Sequence, residues 1–199
     1  MDRFAEYLMT NADAARWNQR YAKDGLHWQA RRPRHLLTRF AHLLPPSGMA
    51  LDAAAGVALH GLFLAERGLH VVALDVSEVG LRLARESAKQ RGVWLETAVL
   101  DLAQPWLPAN YFDVIVNFRF LERATFPVYR QALKPGGLLF FETFVKIDPQ
   151  GEYPEHYLDP GELGAAFADF SIIHHGQTET LNSQSQLIKM SEQLIARKA

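Results

Sequence analysis

Leu51-Asp52-Ala53-Ala54-Ala55-Gly56-Val57-Ala58, followed twelve residues later by Val71-Val72-Ala73-Leu74-Asp75, decides the fold of this chain. The first stretch closes a short strand, Met49 to Asp52. Its run of small residues then turns the backbone into a helix carrying Leu62, Phe63, Leu64 and Ala65, which Gly68 stops. The second stretch is an apolar run of the kind buried on both faces of a parallel sheet, and it too ends in an aspartate. Strand, tight turn, helix and strand make one right-handed crossover unit.

The same alternation continues on both sides. Toward the N-terminus, Asn11 to Tyr21 has helical spacing, with Ala14, Trp17 and Tyr21 on one face. Pro33 opens a second helix through Leu36, Leu37 and Phe40, and Pro45-Pro46-Ser47-Gly48 breaks it. Toward the C-terminus, Ser77 caps a helix lined by Leu81, Leu83, Ala84 and Ala88. Strands follow at Val93 to Val99 and Phe112 to Asn117, then a helix through Tyr129 and Leu133, a turn at Lys134-Pro135-Gly136-Gly137, and a strand from Leu138 to Phe144. A helix from Pro160 to Ala168 precedes two strands, Ser171 to His175 and Gln186 to Ile195, with no helix between them. The pattern predicts a doubly wound α/β fold: a mostly parallel seven-stranded sheet, an antiparallel hairpin at its C-terminal edge and helices on both faces.

The 199 residues suit one domain, with 1–45 as a helical lid and 46–199 as the sheet and its covering helices. Lys and Arg number 21 against 22 Asp and Glu, so no excess charge points to nucleic acid or a membrane. No stretch approaches the roughly 20 apolar residues of a membrane span, and no secretory signal opens the chain. With no cysteine there is no thiolate metal site, and no metal is expected. The expected setting is the cytoplasm, with a small-molecule substrate and a monomer or homodimer.

Ligands of such sheets sit at the carboxyl ends of the strands, and Asp52, Asp75, Asp101 and Asn117 all fall there. Asp75 lies 23 residues beyond Asp52, near the spacing at which an acid meets ribose hydroxyls. Asp101 is placed to accept an adenine amino group, with Val76, Leu100 and Leu102 around the ring. A nucleoside ligand is implied.

On these residues the chain resembles the class I S-adenosylmethionine-dependent methyltransferases, and more closely the small bacterial ones of the tellurite-resistance type. The likeness is carried by Leu51 to Ala58, by Ala73-Leu74-Asp75-Val76-Ser77, by Asp101-Leu102 and by Tyr111 to Asn117. Leu133 to Gly137 and the N-terminal Trp17-Asn18-Gln19-Arg20-Tyr21 add to it. The resemblance implies a Rossmann-like sheet and S-adenosyl-L-methionine as cofactor. Its binding set would be Asp52, Ala54, Gly56, Ala58, Asp75, Val76, Asp101, Leu102, Asn117 and Phe118. It also implies in-line attack by a small-molecule acceptor on the sulfonium methyl. The family's first loop usually carries three alternating glycines, where this chain has Ala54, Gly56 and Ala58. A noncatalytic cofactor-binding member of the fold is therefore the alternative. A nicotinamide-dependent oxidoreductase is disfavoured because the dinucleotide glycine fingerprint is absent.

Three residues are candidates for catalysis. His60, in the first turn after the loop, is either a proton acceptor facing substrate or a plain helix-start residue. Arg119 either steers an anionic substrate or pairs with Glu122 on the surface. Tyr21 joins Trp17 and Trp28 in an aromatic lid that favours a sulfonium, or the three make a helix face against the core. Glu142 and Thr143 either line the pocket or serve a neighbouring loop, and Tyr153, His156 and Tyr157 lie on a loop placed to close over substrate. His174 and His175 alternate faces of a strand and are structural, while Arg31, Arg32 and Arg34 form a solvated basic loop.

Overall fold

The computed structural model describes residues 12–148, 152–181 and 188–199. Its elements, in chain order, are α1 (Ala12–Gln29), α2 (His35–Arg39), β1 (Met49–Ala53), α3 (Leu59–Ala65), β2 (His70–Asp75), α4 (Glu78–Arg91) and β3 (Glu96–Val99). These are followed by β4 (Phe112–Phe118), α5 (Thr125–Ala132), β5 (Leu133–Val145), α6 (Glu162–Ala166), β6 (Ser171–Leu181) and β7 (Ile188–Arg197). Asn11 and Gln186, where two expected elements begin, lie outside the described residues.

The seven strands form one sheet in the order β3-β2-β1-β4-β5-β7-β6. Strands β1 to β5 pair in parallel, and β7 pairs antiparallel with both β5 and β6. Strand order reverses at β1, which has β2 on one side and β4 on the other, so the ligand crevice falls at their carboxyl ends. Alternate residues enter two separate cores. Ala50, Val114, Val116 and Phe140 face α2, α3 and α4; Leu51, Ile115, Leu139 and Phe141 face α5 and α6. Covering both faces is what allows the central strands to be apolar throughout.

Strand β6 runs on past His175 to Leu181 beside β7, and three further elements depart from the sequence expectations. Helix α1 runs on to Gln29 through a kink at Asp24, because Gly25 is buried against Leu83 of α4 and the helix has a surface to follow. Leu133 to Gly137 belongs to β5 and is not a separate turn: Leu133 pairs with Phe112, and Gly136 and Gly137 exchange backbone hydrogen bonds with Lys198 at the far end of the chain. Strand β3 starts only at Glu96, leaving Trp94 exposed beside the sheet edge.

Candidate active site at the carboxyl edge of the sheet

The loop between β1 and α3 is pinned from two directions. The Ala55 N–H donates to the Leu74 carbonyl (2.8 Å), the Gly56 N–H to Asp75 Oδ2 (2.7 Å) and the Gly61 N–H to Asp52 Oδ2 (2.7 Å). Ala54, Gly56 and Ala58 all adopt left-handed backbone, with φ of 52°, 56° and 53°. The two alanines thus keep the conformation that glycine holds without strain, each with a methyl in a region L residues disfavour. Helix α1 closes the loop from above. A Cβ on Gly56 would stand within 2.3 Å of the Tyr21 hydroxyl, and one on Gly80 would meet both Tyr21 and the Gly56 carbonyl.

At the end of β2 the Asp75 carboxylate is buried and accepts one backbone N–H on each oxygen, from Gly56 on Oδ2 and from Ser77 on Oδ1, both at 2.7 Å. Burial pushes its pKa up, against the pull of those N–H groups. Ser77 Oγ caps α4 by accepting the Gly80 N–H, and donates in turn to Asn18 Oδ1, which also accepts the Val79 N–H. Asn18, which sequence reasoning did not single out, therefore fastens α1 to the start of α4. Asp101 Oδ1 accepts the Ala103 N–H (2.9 Å), Leu102 is buried, and Val76 and Leu100 are half-buried beside it. This corner offers two carboxylates amid apolar walls.

A different set of groups occupies the ends of β4 and β5. The His60 ring stacks on Phe118 with centroids 4.2 Å apart, its Nδ1 is 4.0 Å from Asp52 Oδ1, and its buried Nε2 has no hydrogen-bond partner. Burial, with the nearby Arg34 charge, lowers its pKa to about 3, so the ring is neutral at physiological pH. Asp52 is pushed up to about 7, chiefly by burial. The Glu142 carboxylate, fully buried on β5, accepts Arg34 Nε (2.8 Å) and Nη2 on Oε1 and Gln193 Nε2 (2.9 Å) on Oε2. Arg119 Nε stands 3.7 Å from the same Oε1, and its guanidinium lies over the Phe144 ring at 4.3 Å.

Several expectations need correction. Arg34 is not part of a solvated loop; it is the main counter-ion of a buried carboxylate 108 residues away, a separation no local pattern reveals. Arg119 approaches Glu142, not Glu122, because its left-handed backbone (φ 63°) turns the chain back over β5, where its N–H donates to the Glu142 carbonyl. Asn117 is fully buried and tied into the fold: its amide oxygen accepts the Tyr129 hydroxyl and its amide N–H donates to the Phe120 carbonyl. Trp17, Tyr21 and Trp28 do cluster, but the Arg20 guanidinium lies over both Trp rings and that of Arg31 over Trp28. Tyr21 reaches the loop at Gly56. His174 and His175 face opposite sides of β6, as expected, toward Gln193 and Glu192 respectively. Among the described residues no metal-binding group of side chains exists.

Comparison with known proteins places this geometry. A family model described as "Methyltransferase domain" matches residues 50–137, the segment from β1 into β5 that carries Asp52, Asp75, Asp101 and the loop between them. Over this segment the chain is similar to the class I S-adenosylmethionine-dependent methyltransferases. Among curated relatives, the ubiquinone biosynthesis O-methyltransferase of Hahella chejuensis is 28% identical over 146 residues, covering 60% of each chain. Phosphoethanolamine N-methyltransferase 1 of Arabidopsis thaliana is 28% identical over 59% of this chain and 26% of its own. This chain thus spans no more than about 60% of the length of either relative. TehB of Haemophilus influenzae superposes with a TM-score of 0.76 at 16% identity, over 92% of this chain and 67% of its own. Geranyl diphosphate C-methyltransferase of Streptomyces coelicolor gives 0.66 at 12% identity, over 82% and 79%. At those identities the two structures attest the fold alone.

The site fits the family's cofactor, S-adenosylmethionine. Asp75 is a buried acid at the end of β2, the loop beside it is packed too closely for a side chain at Gly56, and His60 Nε2 is a buried polar atom that lacks a partner. A buried acid at a strand end suits ribose hydroxyls, and an unpartnered buried nitrogen suits a polar ligand.

Proposed function

We propose that this protein transfers the methyl group of S-adenosylmethionine to a small-molecule acceptor. Asp75 would hold the ribose, Asp101 with Val76 and Leu102 the adenine, and the loop from Ala54 to Ala58 the methionine arm. Bound there, the cofactor supplies an electrophilic methyl on a sulfonium. The chain's own task is alignment, which for well-oriented reactants lowers a barrier by roughly 7–11 kcal/mol. His60, neutral and unpartnered at Nε2, would accept the hydrogen bond of the acceptor's nucleophile. Tyr21 seals the loop. In this reading the protein works in the cytoplasm, and its net charge of −1 favours a small acceptor over nucleic acid.

The observation that carries the proposal is Asp75, a carboxylate buried at the end of β2, next to the strand where the order reverses, and bonded to the loop at Gly56. Calorimetric titration with S-adenosylhomocysteine and S-adenosylmethionine tests it: binding of both is expected, and absence of heat together with absence of thermal stabilisation at millimolar ligand would overturn it. A second reading, a member of the fold that binds the cofactor without using it, is motivated by the strained alanines at positions 54 and 58. Methyl transfer from labelled cofactor to any of a panel of thiol, selenium, tellurium and phenolic acceptors excludes it.

A further inference from the structure

We propose that the outward face of α1 is a docking surface for an anionic lipid bilayer, a role apart from the methyl transfer proposed above. Between residues 12 and 40 stand seven Arg and Lys against two Asp, in a chain whose net charge is −1, so the even balance of the whole conceals a one-sided distribution. Arg16, Arg20, Lys23, His27 and Arg31 follow one another at three- and four-residue spacing, a stripe of roughly 20 Å at the helical rise. All five are exposed, and the opposite side of α1 holds Ala14, Tyr21 and Gly25, buried against the body.

The stripe is tied together by its own contacts. The Arg20 guanidinium lies over the rings of both Trp17 and Trp28 (5.2 and 5.4 Å), that of Arg31 over Trp28 (4.0 Å) and that of Arg16 over Trp17 (5.8 Å). Arg31 Nη2 is also 3.1 Å from His27 Nε2. Arg16 is paired with Asp13, whereas Arg20, Lys23 and Arg31 have no carboxylate partner among the described residues. A guanidinium laid flat on an indole keeps its in-plane N–H groups free for phosphate oxygens. Two further observations favour a bilayer surface. Leu26 on the same helix is 85% exposed, and Trp beside long cationic side chains is the composition that settles at a headgroup interface. Single-stranded nucleic acid stacks its bases on bare aromatic faces, and here guanidinium groups and Tyr21 already lie against the rings. No helix of the described residues is long and apolar enough to cross a membrane, so the contact proposed is a surface one.

The test is sedimentation of the full chain with phosphatidylcholine vesicles, with and without about 30% phosphatidylserine, at about 0.05 and 0.5 M salt. Binding is expected to the anionic vesicles alone, and to be lost at the higher salt. Arg20→Gln with Arg31→Gln should weaken it at least about tenfold, and Lys23→Gln alone roughly fivefold, the usual effect of one cation at a charged surface. Arg85→Gln with Arg197→Gln removes the same charge from exposed positions off the stripe, and should leave binding within about threefold of wild type. Equal binding to both vesicle types, absence of binding at the lower salt, or equal losses from the two double variants would overturn the proposal. So would tighter binding of a uridylate oligonucleotide than of the vesicles with the same dependence on Arg20 and Arg31, which would assign the stripe to nucleic acid. Should the Arg20 and Arg31 variant not fold, Lys23→Gln against wild type decides alone.

Discussion

The two halves of the proposed site are built in different ways. The nucleoside half is mostly local: Asp75 binds the N–H two residues on, Asp101 does the same, and Ser77 caps its own helix. The acceptor half is assembled across the chain, with Glu142 bonded to Arg34 108 residues before it and Gln193 51 residues after it. In the first, a strand end and a turn suffice to position an acid. In the second, the groups meet only once β7 has been inserted beside β5 and α2 has docked on the sheet. A cofactor shared by a family suits the first construction, and a substrate particular to one member suits the second.

The sharpest way to break this contrast is to remove the charge that holds the acceptor half together. Glu142→Gln leaves Arg34 and Arg119 facing one another across a neutral amide in a largely buried setting. Because Arg34 remains 30% exposed, the expected cost is about 2–4 kcal/mol, near or below the usual penalty for breaking a buried pair, read as a shift of the urea midpoint. S-adenosylhomocysteine should still bind the folded fraction with nearly native affinity. Loss of cofactor affinity out of proportion to the stability change would mean that the halves are one unit. The reciprocal experiment is Asp75→Ala, expected to weaken S-adenosylhomocysteine binding by about 1–3 kcal/mol, the usual cost of removing a partner from a buried hydrogen bond. Unchanged affinity by calorimetry would withdraw the ribose assignment.

How far each half was legible follows from that construction. The strands β1, β2 and β4 could be read to within a residue because apolar runs bounded by turn residues are local signals, and Asp52 and Asp75 lie where the first two of those runs end. The same local habit misread Lys134 to Gly137 as a turn, because the partner that draws it into β5 is Lys198. Arg34 looked like a solvated arginine among others, and Asn117 like a ligand at a strand end. Their partners, Glu142 in one case and Tyr129 with Phe120 in the other, are set by packing and leave no spacing to detect. His60 was visible as a candidate, but its neutral state comes from burial that only the folded chain imposes.

A pH experiment bears on the junction between the halves, where Asp52 touches both the loop helix and His60. Burial raises its folded-state pKa to about 7 from an ordinary 3.8. Between those values the unfolded chain has released the proton that the folded chain still holds, so unfolding releases protons and stability falls as pH rises. Below about 4 this contribution is fully present, and above about 7 it is gone. Asp52→Asn still offers an oxygen to the Gly61 N–H and removes the titration. Urea midpoints measured from pH 4.5 to 7.5 should therefore fall less steeply in the variant than in the wild type. Parallel slopes would show that Asp52 is ionised throughout and that the His60 site sits beside a permanent charge.

The smallest expected effect tests the methionine end. Ala58 is fully buried at φ 53° and begins α3, so its methyl is held where glycine would be unstrained. Ala58→Gly relieves that strain but also gives the unfolded chain more freedom, and the two oppose one another. The net expectation is a gain of up to about 1 kcal/mol in stability, since alanine at a positive φ costs more than the entropy it saves. If the strain also displaces the loop from the pose the cofactor needs, affinity for S-adenosylhomocysteine should rise with stability. A gain in stability with no change in affinity would locate the strain in the loop's own turn and show that the alanines leave the cofactor pose untouched. The methionine end would then be as well formed as the ribose end, and the contrast between the halves would begin at His60, beyond the loop.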